Sequence, residues 1–177
     1  MGIASNPQNQ NLAQASKFVL NFDRLSDMMF FCTAVNLPGM NMGNAMQQTP
    51  FKDDPIPGDK IIYENLNIHF LIDEDLQSWT HIADWMKGVS FPDDFKQYQN
   101  LTLQQKLQIN NIGNKPQYSD AGLIIYNNKN NPKIIVKFTD VFPVSLSSIE
   151  YNSQISAESV LTGTASFLFK GYEINRL

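Results

Sequence analysis

Residues 66–86 change abruptly from a two-residue period to a helical period, and this change constrains the fold most strongly. Apolar side chains occupy alternate positions from Leu66 to Ile72, which is typical of a strand with one buried face. From Leu76 to Met86 the apolar side chains recur at helical spacing instead. Acidic residues at 73–75 suit the start of a helix, and Lys87 and Gly88 suit its end. The pattern predicts a strand followed directly by a helix of about three turns.

Further strands are predicted on both sides of this pair. Residues 17–23 alternate, and residues 28–36 are apolar and rich in β-forming residues, so with the short segment 24–27 they predict a hairpin. Residues 121–126 and 133–142 predict a second hairpin around the turn 127–132, with Pro143 at its end. A last strand is predicted over about 160–174. The tally of six or seven antiparallel strands and one helix places the chain in the mainly β class.

Residues 37–59 contain four prolines and three glycines. Proline removes a ladder donor and glycine loosens the backbone, so this segment is predicted to be a long loop or an edge ribbon. Long segments of this kind in a compact domain usually contact partners or carry function. The segment also holds three methionines, and methionine is an adaptable contact residue.

Charge and cysteine content exclude several classes of protein. Only 17% of the 177 residues are charged, the net charge is −4, and lysine and arginine form no cluster, which argues against a phosphate-binding surface. The low charge density suits a surface covered by neighbours, and neutral polar loops explain it almost as well. The single cysteine, Cys32, forms no internal disulfide, and no apolar run is long enough to span a membrane.

The sequence of the N-terminal segment also leads to expectations about the domain boundary and about targeting. Residues 1–16 are rich in Asn and Gln and predict a flexible arm, so the domain itself is expected over 17–177. The N-terminus has no apolar signal core, and Asn6 stands where a myristoylation motif needs Ser or Thr. We therefore expect neither an export signal nor a lipid anchor.

No arrangement of residues indicates catalysis, a metal or a cofactor. A metal site would need carboxylates or Cys32 in addition to the two histidines, His69 and His81. Cys32 lies in an apolar predicted strand, which is typical of a buried cysteine that packs as a small hydrophobic residue. The carboxylates at 53, 54 and 59 lack the spacing of a calcium loop. Phosphate loops, nucleophile elbows and dinucleotide fingerprints do not occur. We expect a protein that is not an enzyme and that needs no cofactor.

The order of these elements resembles the tail-tube proteins of contractile-tailed phages and the related tube initiators of baseplates and secretion-system tubes. The resemblance covers residues 17–174. It rests on the "C-x-A-x-x-L-P" stretch of 32–38, on 56–60 before the alternating strand, and on 73–75 at the helix start. It also rests on Phe138 to Pro143 and on the closing aromatic strand 167–172. Residues 89–118 are longer than in the simplest tube subunits.

The resemblance implies a two-sheet antiparallel β-sandwich or barrel-like core with a flanking helix and a long loop. It also implies a virion subunit, assembled in the host cytoplasm, of which six copies form a ring. The rings would stack into the inner tail tube, and DNA would pass through it without specific binding along a lumen of Asn, Gln, Ser, Thr and acidic side chains. The implied partners are further copies of the chain and the tail sheath, baseplate and tape-measure proteins.

The loop and the helix are the expected sites of contact between subunits. The residues expected to make these contacts are Leu37, Pro38, Met40, Met42, Met46, Phe51, Ile56 and Trp85. The main alternative within the same class is a baseplate tube initiator or a secretion-system tube subunit. An alternative from a different class is a monomeric β-sandwich that binds carbohydrate through Trp85, Tyr98 and Tyr118.

Overall fold

The computed structural model describes residues 16–25, 31–90, 94–99, 117–152 and 160–177. Almost all of the predicted arm 1–16 lies outside these ranges. Most of residues 94–107, where the sequence would allow a short helix, also lies outside them. Within them the chain forms nine strands and one long helix. The elements are β1 Phe18–Phe22, β2 Cys32–Val35, β3 Met40–Gln48, β4 Asp53–Tyr63, β5 Leu66–Leu71, α1 Gln77–Ser90, β6 Ser119–Tyr126, β7 Pro132–Leu146, β8 Thr162–Leu168 and β9 Gly171–Arg176.

Two antiparallel sheets share the long strand β7. The first part of β7 pairs with β6 and β9, and β6 pairs with β1; we call these four strands sheet A. The last part of β7, residues 142–146, pairs with β8, which pairs with β5 and through it with β2; we call these strands sheet B. Asp140 lies close to this change of partner with φ 53°, and its backbone N–H donates to Oδ1 of Asp120 at 3.1 Å. This local break lets one strand belong to both sheets.

Large side chains from both sheets and from α1 meet in one core. The largest fully buried side chains are Trp85, Phe22, Phe70, Phe138 and Phe167. Burying a side chain of this kind stabilises the fold by about 1.5–3 kcal/mol. Packing is tight at Gly163, where a Cβ atom would lie 2.7 Å from Cζ of Phe70, so this strand position needs glycine.

The start of α1 depends on a carboxylate that precedes the helix. Asp73 accepts hydrogen bonds from the backbone N–H groups of Gln77 (3.1 Å) and Ser78 (3.2 Å) and from the Ser78 hydroxyl (2.8 Å). These bonds satisfy donors that the first turn of a helix leaves without partners. Of the acidic residues predicted at the helix start, Asp73 therefore caps the helix. At the other end, the helix continues past Lys87 and Gly88 to Ser90.

The main features predicted from the sequence are confirmed. The fold is mainly β with two antiparallel sheets and a flanking helix. The strand at 66–71, the helix and the hairpin of β6 and β7 are present. The 37–59 segment is an edge ribbon rather than a loop, because β3 and β4 pair with each other along most of it.

Three details of the predicted strands are wrong. β1 and β2 do not form a hairpin: β1 pairs with β6 and β2 pairs with β5, at opposite ends of the strand order. β7 continues through Pro143 to Leu146, because a bulge between Pro143 and Ser145 accommodates the missing donor. The predicted last strand is divided, because a turn at 169–170 sends β8 to sheet B and β9 to sheet A.

Candidate assembly interface

A two-stranded ribbon projects from the sandwich and pairs with neither sheet. It consists of β3 and β4 with the connecting turn 49–52, and all nine residues of β3 are exposed. A bulge between Met42 and Asn44 interrupts the pairing. There the backbones approach so closely that a Cβ atom on Gly58 would lie 2.4 Å from the carbonyl oxygen of Gly43. The bulge therefore requires glycine at position 58.

The ribbon exposes several large apolar side chains to solvent. Met40, Met42 and Met46 have exposed fractions of 58%, 61% and 61%. Paired residues share a face and faces alternate along a strand, so the three methionines lie on the same face as Ile61, which pairs with Met42. We call this face the methionine face. Exposed apolar side chains grouped on one face of a surface element are typical of a protein-binding site.

The opposite face of the ribbon is mixed. It carries Ile56 and Ile62, exposed by 43% and 66%, between polar residues such as Asn41 and Gln47. At the tip, Phe51 is 97% exposed. The tip turn is ordered by hydrogen bonds between Thr49 and the Lys52 carbonyl and by an ion pair of Lys52 with Asp54 at 2.9 Å. The turn holds Phe51 outward, away from every buried part of the described chain.

An aromatic cluster holds the base of the ribbon against the sandwich. The Tyr63 ring, at the end of β4, lies 5.5 Å from both Phe169 and Tyr172 between ring centres. The Tyr172 hydroxyl donates to the Pro38 carbonyl at 3.2 Å. Across the base, the Glu64 N–H donates to the Gly39 carbonyl at 3.0 Å. The ribbon is therefore anchored at its base and exposed along its length, which is the arrangement of a preorganised arm.

The structure separates the predicted contact residues into two groups. Six of them are exposed on the ribbon or beside it, namely Leu37, Met40, Met42, Met46, Phe51 and Ile56. Pro38 is buried and accepts the Tyr172 hydrogen bond, so its role is to anchor the base. Whether the exposed six touch another subunit stays a prediction, which the proposal below takes up.

Trp85, another residue expected to contact a neighbouring subunit, is instead buried in the core. Its side chain is 1% exposed, packs 6.1 Å from Phe167 between ring centres, and donates its Nε1–H to the Gln117 carbonyl at 3.1 Å. The guanidinium of Arg24 lies 5.2 Å from the indole ring centre. Trp79 and Trp85 lie six residues apart and therefore on different faces of the helix, so periodicity indicates that one of them faces the core but not which one. The burial also removes Trp85 from a carbohydrate-binding surface.

Ile61 and Ile62 are functional candidates that the sequence analysis missed. They precede the alternating strand and resemble the start of a buried run, but both are more than half exposed. The available signal was the spacing: two adjacent isoleucines next to a Pro/Gly-rich segment place one apolar side chain on each face of a ribbon. A half-buried strand would bury only one of them.

Other candidate sites do not form in the described part of the chain. Burial raises the pKa of the Cys32 thiol to about 11, so near neutral pH the thiol is protonated and a poor nucleophile. Nδ1 of His69 lies 3.1 Å from Oγ1 of Thr164, within hydrogen-bond distance. Among the described residues, His, Cys, Asp and Glu form no group that could hold a metal ion. No helix in the described ranges is long and apolar enough to cross a membrane.

Comparison with known families identifies the class of protein. The model of a family described as phage tail tube protein matches residues 4–175, nearly the whole chain. The chain belongs to the phage tail tube protein family. A search of curated protein sequences finds no match. The resemblance in the order of elements is thereby confirmed for this tail tube protein.

Solved structures share the fold of this tail tube protein at low sequence identity. The cap that terminates the tube of the anti-feeding prophage matches with a TM-score of 0.63 and 12% identity, over 100% of both chains. A chain of the sheath–tube complex of an extracellular contractile injection system in its extended state matches with a TM-score of 0.59 and 10% identity. That match covers 95% of the tail tube protein and 94% of the other chain. At such identities the similarity establishes the fold.

Proposed function

We propose that this tail tube protein is a structural virion subunit whose copies form hexameric rings, and that the rings stack into the inner tail tube through which DNA passes. The observation that carries the proposal is the anchored ribbon with its exposed methionine face. In this proposal the ribbon of one subunit packs on a neighbouring subunit or ring. The tail sheath, baseplate and tape-measure proteins are the proposed further partners, and no step of chemical catalysis is needed.

An isolated ribbon would leave apolar surface in contact with water. Neither sheet pairs with it, and apolar side chains along it contact water. Burying one fully exposed methionine or isoleucine is worth about 1.5–3 kcal/mol. The ribbon's methionines and isoleucines are about half exposed and would each contribute part of this amount, and together they would offset part of the entropy lost on association. Methionine also adapts its shape to a partner surface, which suits a repeated contact.

Unpaired sheet edges give the proposal a second support. In the strand order β1 and β2 are terminal, so each forms a ladder on one side only among the described strands. Exposed edges invite pairing with other chains, and closing them within a ring removes this hazard. A head-to-tail contact between two different edges generates a ring when the rotation closes. Six copies would give a closed wall around a channel.

A terminal position in the tube is a second candidate function. The fold similarity includes the anti-feeding prophage cap and, with a TM-score of 0.54, a chain of the same particle's baseplate. A tube initiator or cap would use the same sandwich and ribbon but would form one ring and stop. Purification with baseplate components and without long tubes would favour this function over the main tube subunit.

The ribbon's role is tested by removing the apolar character of one face. We expect the double variant Met42→Ser/Met46→Ser to remain a folded monomer and to lose ring and tube formation in light scattering. Its monomer stability should stay within about 0.5 kcal/mol of the unsubstituted chain, because both side chains are exposed. The matched control is Ala45→Ser/Gln47→Ser, on the opposite face of the ribbon, which should still assemble. Unchanged assembly of the methionine variant would contradict the assigned interface.

A further inference from the structure

The two edges of the ribbon differ in their capacity to accept a further strand. In an antiparallel pair, residues that bond to the partner strand alternate with residues whose N–H and C=O groups point outward. The Thr49 N–H donates to the Lys52 carbonyl at 3.1 Å, and this bonded pair sets the alternation along the outer part of the ribbon. Pro55 and Pro57 therefore occupy outward-pointing positions of β4. Proline has no N–H, so this part of the β4 edge cannot donate to another strand.

The outer edge of β3 is open where the β4 edge is closed. By the same alternation, its outward-pointing positions are Asn44, Met46 and Gln48. All three residues are exposed and none is charged. Charged side chains, prolines and bulges are the usual protection of a sheet edge, and between 44 and 48 β3 has none of them. Outward N–H and C=O groups at this regular spacing are the groups through which a sheet edge adds a strand.

The outer edge of β9 has the same character. Among the described strands β9 pairs with β7 alone, and the Leu177 N–H donates to the Lys133 carbonyl at 2.9 Å. The alternation from this bonded pair makes Ile174 and Arg176 outward-pointing, and both are exposed. Ile174 stands opposite the buried Val136, so its side chain lies on the core side of sheet A. Its 52% exposure leaves apolar surface uncovered at the margin of the core.

The other terminal strands are poorer partners for the ribbon. In β1, Leu20 and Phe22 are exposed by 0% and 1%, so the backbone at these positions is covered. β2 has four residues, and a bulge between Cys32 and Ala34 interrupts its regular pairing. Neither strand offers the ribbon as long a regular exposed edge as β9 does.

We infer that the outer edge of β3 pairs with the outer edge of β9 in a second copy of the chain, so that the ribbon of one subunit extends sheet A of the next. This inference rests on the proposed tube function and names the surface that the ribbon contacts. Residues that bond across a strand pair place their side chains on one face. Met46 and Ile174 are both outward-pointing, so the methionine face would cover the exposed Ile174. Methionines at the alternate positions of β3 would instead turn polar side chains toward it.

The two edges belong to different parts of the chain, so the contact is head-to-tail. Each copy would give its β3 edge to one neighbour and receive the ribbon of another on β9. A contact of this kind closes into a ring or continues along a stack, according to the rotation between copies. Main-chain hydrogen bonds would supply affinity, and the fit of the methionine face over Ile174 would supply specificity.

Paired proline and alanine substitutions test the role of the backbone N–H groups. Gln48→Pro and Arg176→Pro each remove one outward N–H, whereas Gln48→Ala and Arg176→Ala shorten the same side chains and keep it. The removed N–H groups take no part in the ladders of β3 with β4 or of β9 with β7, so the monomers should fold. We expect each proline variant to need at least about a tenfold higher concentration than its alanine control to form tubes in light scattering. Equal concentrations for the proline and alanine variants would overturn the inference.

Amide exchange of the unsubstituted chain tests the same pairing without any substitution. Tubes are exchanged in heavy water, dissociated and compared with exchanged monomer by NMR. We expect exchange at least about tenfold slower in tubes at the outward-pointing amides, while the ladder amide of Ala45 is protected in both states. The outward-pointing amides are those of Asn44, Met46, Gln48, Ile174 and Arg176.

Protection of the β3 amides without the β9 amides would assign the ribbon to another surface and overturn the inference. Fast exchange at both sets in tubes would show that the contact uses side chains alone, and would overturn it too. Both results leave the tube function intact. A chain that forms no tubes at any concentration would contradict the tube function itself, and the strand pairing with it.

Discussion

Single side chains stabilise individual elements of this fold, and the sequence indicates these roles only in part. Asp73 is the clearest case, because its carboxylate receives three hydrogen bonds at the start of α1. The hydrogen bond from the Ser78 hydroxyl, with those from the Ser78 and Gln77 N–H groups, lowers the pKa of Asp73 from its ordinary value of 3.8. The ionised form is therefore the one that stabilises the folded state.

We expect Asp73→Ala to lower the urea midpoint of the monomer at neutral pH, because the first helical turn loses its acceptor. The difference from the unsubstituted chain should be complete above pH 3.8 and should shrink as the pH falls below that value, since the pKa is lower in the folded state. Asp75→Ala, at an exposed neighbouring position, is the control. Equal midpoints for the two variants at neutral pH would exclude the capping role.

Cys32 illustrates how burial decides reactivity. With its pKa raised to about 11, the thiol should react with iodoacetamide more slowly in the folded monomer than in the urea-unfolded chain near neutral pH. The folded-state rate should rise with pH until about 11. A folded-state rate that equals the unfolded rate near neutral pH would show that Cys32 is an exposed, ordinary thiol.

At the scale of elements, the aromatic base of the ribbon determines how rigidly the arm is presented. Tyr172 contacts Tyr63, Phe138 and Phe169 and also donates to the Pro38 carbonyl. The base therefore combines packing with one hydrogen bond to the segment that leads into β3. An arm held in this way loses little conformational entropy when it binds.

Removing that hydrogen bond should loosen the arm without unfolding the sandwich. We expect Tyr172→Phe to cost about 0.5–1.5 kcal/mol of monomer stability in urea unfolding. We also expect faster amide exchange at the ribbon base while β5 and β8 keep their protection. Tyr151→Phe, at a position that is 70% exposed, is the matched control. Exchange at the base that does not change in Tyr172→Phe would show that packing alone anchors the ribbon.

Whether an element could be predicted from the sequence depended on the type of element. Periodicity predicted β5 and α1 because each buries one face along its length, and the Asn-rich turn predicted the hairpin of β6 and β7. Periodicity contains no information about which strand lies beside which. The hairpin expected from β1 and β2 was therefore wrong, since both strands pair with distant segments.

The candidate interface was predictable in part for the same reason. Proline, glycine and methionine in 37–59 indicated a contact segment, and the exposed residues do lie there. Burial of a particular side chain depends on three-dimensional packing, so the sequence did not reveal that Trp85 and Pro38 are buried or that Ile61 and Ile62 are exposed. The β7 break at Asp140 was equally hidden, because its left-handed backbone depends on tertiary contacts of Asp120.

At the scale of the whole molecule, one chain combines a stable sandwich with surfaces that are incomplete in isolation. The core is closed by aromatic side chains from both sheets and the helix. The ribbon remains exposed, and among the described strands the outer edges of β1 and β2 have no ladder partner. Membership of the phage tail tube family gives these surfaces a common explanation. In the proposed assembly, the ribbon and the strand edges would join copies of the chain.

Negative-stain electron microscopy of the purified protein, with its mass measured by light scattering, tests this account most directly. We expect rings of six copies with a central channel, and stacks of such rings at higher concentration. The baseplate-initiator alternative predicts single rings that do not stack. A protein that stays strictly monomeric at every concentration would contradict the claim that its exposed ribbon and sheet edges drive self-assembly.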